Sequence, residues 1–127
     1  MRSFILLLII LTSLNSLAAA NPHPNTEVIP ENSKPTLIES AFLRFLGPTI
    51  VQIMENHGDL QMFTNERIES ITQVDETDNY DVTLHVIGFE GAHGPPYKFI
   101  RMVIRIPGSK NGFYEVISYN HHLINHS

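Results

Sequence analysis

The 127-residue chain contains no cysteine. That absence excludes disulfide scaffolds, Cys-ligated zinc, iron–sulfur clusters and thiol catalysis together, so any reactive site must be built from histidines and carboxylates. Basic residues are scarce as well: 8 Lys+Arg stand against 13 Asp+Glu, a formal net charge of −5. Nucleic acid is therefore not an expected partner, because phosphate binding needs clustered Lys and Arg. Proline and glycine, at 8 and 7, are too few for a low-complexity chain, and a hydrophobic content of 43% is too high for a disordered one. There is no internal repeat, phosphate-cradling glycine motif or Ser-His-Asp elbow. What remains has the length of a single domain.

The longest apolar run lies at the start. Met1-Arg2-Ser3 supplies a small positive segment, Phe4 to Leu11 is uninterrupted apolar sequence, and Ala18-Ala19-Ala20 gives an A-x-A cleavage pattern. This layout predicts a secretory signal peptide over 1–20, cleaved after Ala20. The rival, a retained anchor, has only 17 residues from Phe4 to Ala20, broken by Thr12, Ser13, Asn15 and Ser16. A span needs about 20 apolar residues, so no membrane span is expected after cleavage. The mature chain is then 127 less 20, or 107 residues, with one cation fewer and a net charge of −6. An exported chain without cysteine does not depend on oxidative folding, which suits a Gram-positive secretion route.

Residues 21–35 hold Pro22, Pro24, Pro30 and Pro35 among polar residues and read as an extended leader. Thr36-Leu37-Ile38-Glu39 is a capping-box pattern that starts a helix. Ile38, Ala41, Phe42, Phe45 and Leu46 predict its buried stripe, continued by Ile50, Val51 and Met54. Gly47-Pro48 predicts a helix pair or a kink, and Gly58 in Asn56-His57-Gly58-Asp59 a C-terminal cap. From Arg67 the period changes to two. Strands are expected over Ile68–Val74, Tyr80–Val86, Ile100–Ile106 and Phe113–His121, separated by hairpin-length links. The expected fold is α+β: helices on one face of a roughly four-stranded antiparallel meander, a single domain over 36–122 with a tail at 123–127.

One connection differs from the rest. Over Gly88-Phe89-Glu90-Gly91-Ala92-His93-Gly94-Pro95-Pro96-Tyr97, glycines and prolines fix the path while Glu90, His93 and Tyr97 bring acid, imidazole and phenol together. The pattern F-x-G-x-H-x-P-P-Y on Phe89, Gly91, His93, Pro95, Pro96 and Tyr97 resembles the signature of an uncharacterised family of small secreted proteins from Bacillus-type Gram-positive bacteria. The resemblance extends to Leu46-Gly47-Pro48-Thr49-Ile50 and to a last strand ending V-x-x-[YF]-x-H, here Val116, Tyr119 and His121. It departs at Glu55-Asn56-His57 and at Lys98, where such proteins often carry tyrosines and a glycine. The resemblance implies a fold and a secreted destination, and no activity.

His93 has two readings: a metal ligand or general base partnered by Glu90, Tyr97 or a C-terminal histidine, or a group that only shapes the turn. His121, His122 and His126 form a loose terminal cluster; His93 and His121 are the candidate ligands of a divalent metal, and no other cofactor is expected. Asp75-x-Thr77-x-Asn79-x-Asp81 resembles a calcium loop, but Tyr80 and Val86 stand where glycine and glutamate are needed, so it reads as an acidic turn. Arg101 and Arg105 share a strand face as paired rim charges or an anion strip. The first expectation is a non-catalytic domain binding a protein, peptide or cell-envelope component through Phe89, Glu90, Gly91, His93, Pro95, Pro96 and Tyr97. The alternatives are a His93-centred metal protein or enzyme, and an interaction module or inhibitor acting through a sheet edge.

Overall fold

The computed structural model describes residues 25–108 and 112–125. Among them lie β1 (Thr26–Val28), α1 (Leu37–Asn56), β2 (Met62–Gln73), β3 (Tyr80–Glu90), β4 (Gly94–Ile106) and β5 (Glu115–Ile124). The strands form one antiparallel sheet in the order β1-β2-β3-β4-β5, each paired with its neighbour in the chain. The fold is α+β, with α1 covering one face. The signal peptide expected over 1–20, His23 and His126 lie outside the described residues.

Thr36 caps the helix as its pattern predicts, its hydroxyl accepting the Glu39 N–H at 3.1 Å. The return half of the box is not made. Glu39 is buried, and its carboxylate instead accepts Arg67 Nε and the Ile68 N–H, both at 3.0 Å. Fixing Glu39 inward sets the buried stripe as Glu39, Leu43, Leu46, Ile50, Ile53 and Met54, so Ile38 and Phe45, expected inside, are exposed. An α-helix turns about 100° per residue, and one position of shift moves the stripe onto different apolar residues. By length and composition α1 is apolar enough to cross a membrane, but its buried residues belong to the core against the sheet.

Two further expectations change. Instead of a helix pair there is one helix with Pro48 inside it. Pro48 leaves the Arg44 carbonyl without its usual donor, and both residues lie on the exposed side, where solvent can meet it. The sheet has five strands rather than four because Thr26, Glu27 and Val28, in the proline-rich segment, pair with Thr72, Ile71 and Ser70. Three residues are too few to show alternation.

The core lies between α1 and the sheet. Val82, Leu84 and Val86 of β3 and Ile100, Met102 and Ile104 of β4 face Leu43, Leu46, Ile50, Ile53 and Met54. The alternate residues point to the other face, which α1 leaves open. β2 carries two irregularities, between Thr64 and Arg67 and between Ile68 and Ser70, and the second sets Glu69 outside the regular pairing.

Candidate functional site

The Gly88–Tyr97 stretch is not a loop. Glu90 pairs with Gly94, so β3 and β4 run to the tip and Gly91, Ala92 and His93 turn the corner, with φ near +56° at Gly91 and +59° at His93. The His93 ring stacks on Phe89 at 4.3 Å, and the His93 carbonyl accepts the Tyr97 hydroxyl at 2.6 Å. The Pro95–Pro96 bond is cis. Phe89, counted among the contact residues, is only 7% exposed, with the His93 ring stacked on it. Glu90, Gly91, His93, Pro95 and Pro96 remain exposed at the tip and Tyr97 is half-buried.

His121 belongs to a different cluster. At the end of α1, His57 is the C-cap and Gly58 turns the chain at φ +84°, a conformation only glycine adopts freely. That turn drops Asp59 under the helix end, 1% exposed, with its N–H bonded to the Met54 carbonyl at 2.9 Å. Lys98 Nζ donates to Asp59 Oδ1 at 2.6 Å; His121 Nδ1, at 2.6 Å, and the Tyr119 hydroxyl both donate to Oδ2. Alternation explains the convergence: Lys98 is on the same face of β4 as Ile100 and Met102, whose β5 partners are His121 and Tyr119. The His57 ring stacks on Tyr119 at 4.0 Å, held by Nδ1 on the Ile53 carbonyl at 2.7 Å.

Burial alone would raise the Asp59 carboxyl, but hydrogen bonds from Lys98, Tyr119 and His121, and the charge of His121, lower it to about 2. Burial, and then its bond to the Asp59 carboxylate, push the Tyr119 hydroxyl up, so it stays a donor. With Nδ1 committed to Asp59, Nε2 is the ring nitrogen of His121 left for another partner, and the side chain is 46% exposed. Gln61 joins the cluster to the hairpin, Nε2 donating to the Pro96 carbonyl at 2.9 Å while the buried Oε1 has no partner among the described residues.

A second constellation lies on the open sheet face. Glu69 accepts His85 Nδ1 at 2.9 Å and Arg101 Nη2 at 2.6 Å. Phe99 stacks between His85, at 5.0 Å, and His122, at 5.2 Å. Arg105 makes a two-pronged pair with Asp81 at 2.8 and 3.0 Å, so the arginine strip is made of paired charges. Beside Glu69 the segment after β1 forms the wall of a half-open groove of about 460 Å³, lined among others by Val28, Ile29, Pro30, His85, Phe99 and Arg101.

Of the three C-terminal histidines, His126 lies outside the described residues, and the other two do not act together. His121 and His122 sit in β5 and point to opposite faces, one to Asp59 and one to Phe99. Among the described residues, no group of three or more His, Asp or Glu side chains is placed to hold a metal ion.

A family profile described as "Protein of unknown function (DUF3888)" matches residues 38–122. The chain belongs to that family. The matched region runs from the first turn of α1 to His122, and so includes both carboxylate clusters and the hairpin. Comparisons with curated proteins and with solved structures returned no match.

Reasoning from the sequence missed Asp59 and Glu69, the two carboxylates on which these clusters turn. For Asp59 there was a signal: a charged residue behind a capping glycine, and a Tyr-x-His pair that must share one face of its strand. For Glu69 the bulge that re-aims it has no mark in the sequence.

Proposed function

We propose that this is an exported, non-catalytic binding domain that holds its ligand on the open sheet face, in the groove beside Glu69. The groove itself carries the reading: Val28, Ile29 and Pro30 give it an apolar lining, Phe99 stacks on His85 within it, and Arg101 lines it together with the carboxylates of Glu31 and Glu69. Few small domains leave such a mixed concave surface unused, because ligand sites combine apolar lining with a few placed polar groups. Arg101 is more than half exposed and uses one terminal nitrogen on Glu69, which leaves further N–H donors toward the groove. The ligand class is a peptide or cell-envelope component with an apolar body and a carboxylate. The N-terminal leader pattern supports export, and the resemblance to small secreted proteins of Bacillus-type Gram-positive bacteria supports an envelope ligand.

The test is an amide-resonance titration with acetyl-Gly-Leu and with its C-terminal amide. Shifts at Glu69, His85 and Arg101 with the acid, weaker with the amide and absent in Phe99→Ala, support the reading. Shifts confined to the 90–97 tip return the contact surface to the hairpin, and no shifts at millimolar peptide refute both.

A second reading rests on one observation, the His121 ring fixed through Nδ1 on Asp59 with its side chain 46% exposed. It moves the metal or proton-transfer alternative from His93 to His121. Zinc binding by calorimetry that disappears in His121→Ala, and not in His93→Ala, would support it.

A further inference from the structure

The two edges of the sheet are built differently. On one side β1 and its flanking residues cover Glu69 to Gln73, the Ile29 N–H reaching the Glu69 carbonyl and the Gln73 N–H the Asn25 carbonyl, and the rest of the β2 edge protects itself. That rest has a break in register between Thr64 and Arg67, Asn65 in the left-handed region at φ +53°, and the charged Glu66 and Arg67. Bulges and charges of this kind prevent a foreign strand from adding to an edge. On the other side β5 is outermost, and among the described residues no strand pairs with its outer side. One irregularity opposite Val103 and Ile104 sets Ile117 apart, and from there Ser118–Ile124 runs in unbroken register against residues 97–103. Val116 to Asn125 contains no Lys, Arg, Asp, Glu, Pro or Gly. Leu123 on this strand is 65% exposed.

We propose that this edge pairs with the same edge of a second copy of the chain, antiparallel across a two-fold axis, joining two five-stranded sheets into one of ten strands. The choice of partner follows from charge. A chain at −5 repels its own copies, and close approach is least costly where carboxylates are missing. After Glu115 the outer strand offers nine residues, Val116 to Ile124, without one. The pairing is isologous and closes on itself, as a two-fold contact must. Using all seven regular residues centres it on His121, which sets Tyr119 opposite Leu123 of the partner subunit, an aromatic–aliphatic cross-strand pair. Asn120 then lies opposite His122 of the partner subunit, and no carboxylate faces another.

Sedimentation equilibrium of the full chain lacking residues 1–20, at pH 7.5 and across a hundredfold concentration range, tests this. The expected result is a monomer–dimer equilibrium whose dissociation constant rises at least tenfold in Leu123→Lys and is unchanged in Phe45→Lys. The latter substitution marks the exposed outer side of α1, another apolar surface available for self-association. Hydrogen exchange at 118–124 should slow as the dimer forms. A monomer throughout, a dimer indifferent to Leu123→Lys, or one broken by Phe45→Lys would each overturn the proposal. None of these outcomes bears on the groove, which lies on the open face rather than at the edge.

Discussion

Asp59 and Glu69 are built from the same parts. Each carboxylate receives a histidine Nδ1 and a cation, with an aromatic ring against a histidine: Lys98, His121 and Tyr119 at Asp59, Arg101, His85 and Phe99 at Glu69. They differ in their access to water. The Asp59 side chain is 1% exposed and sits between the helix end and the sheet; that of Glu69 is 26% exposed on the face that no helix covers. A charge taken out of water must be fully compensated, and once compensated it is costly to disturb. A charge left partly in water can exchange partners with a ligand at little cost. Similar donor sets therefore make a clasp in one place and, on the reading proposed above, a receptive surface in the other.

The largest expected effect tests that contrast. Asp59→Ala strips Lys98, Tyr119 and His121 of their shared acceptor and should cost about 3 kcal/mol in urea unfolding, as removal of one partner of a buried ion pair does. Glu69→Ala should cost less than about 1 kcal/mol, since its partners reach solvent. Equal losses would break the comparison. The next effect is in pH. The folded-state carboxyl of Asp59 lies at about 2, below its ordinary 3.8, so its contribution is complete above the unfolded value and is lost as pH falls through the folded one. Wild type should lose about 2 kcal/mol more than Asp59→Asn between pH 5 and pH 2. Parallel acid-unfolding curves for the two would show that the clasp contributes nothing as an ion.

The contrast also explains how far the sequence could be read. Strict alternation in Val82, Leu84 and Val86 and in Ile100, Met102 and Ile104 made the central strands plain, because one wet and one dry face leave a period of two. The helix boundaries were plain for a local reason: Thr36 and Gly58 act on neighbours within four residues. Its buried face was not, since α1 has apolar residues on more than one side and the long-range bonds that Glu39 accepts from Arg67 and the Ile68 N–H fix its rotation. The candidate sites failed in the same way. Glycine, proline and histidine concentrated in one short stretch drew attention to His93, whereas Asp59 gathers its partners from residues 39 to 62 positions away. Such convergence is a property of strand order and register, which single-residue types do not record.

A smaller effect sharpens the boundary of the clasp. A Cβ at Gly88 would meet Gln61 Oε1 at 2.5 Å and Ile100 Cδ1 at 3.3 Å. Gln61 is buried and held by Pro96, so it gives way only by losing that bond. Gly88→Ala should cost about 1 kcal/mol by overpacking. In a double-mutant cycle with Gln61→Ala the two losses should fall short of additive by a similar amount, because the shortened side chain leaves room for the new methyl. Strict additivity would place the strain at Ile100 and detach the hairpin from the Asp59 cluster.

The smallest effect is expected at Arg101, and its smallness is informative. Arg101→Ala should change the unfolding free energy by no more than about 0.5 kcal/mol, because an exposed arginine gains little from its partner. Salt should weaken what remains, with a Debye length of about 8 Å at physiological ionic strength. The same substitution should abolish the resonance shifts produced by acetyl-Gly-Leu if, as proposed, Arg101 supplies the donors that meet the carboxylate. A site that loses its ligand without losing stability is a surface kept for binding. If Arg101→Ala instead destabilised the fold as much as Asp59→Ala, the open face would be a second clasp, and the groove would have no role beyond holding the segment after β1 against the sheet.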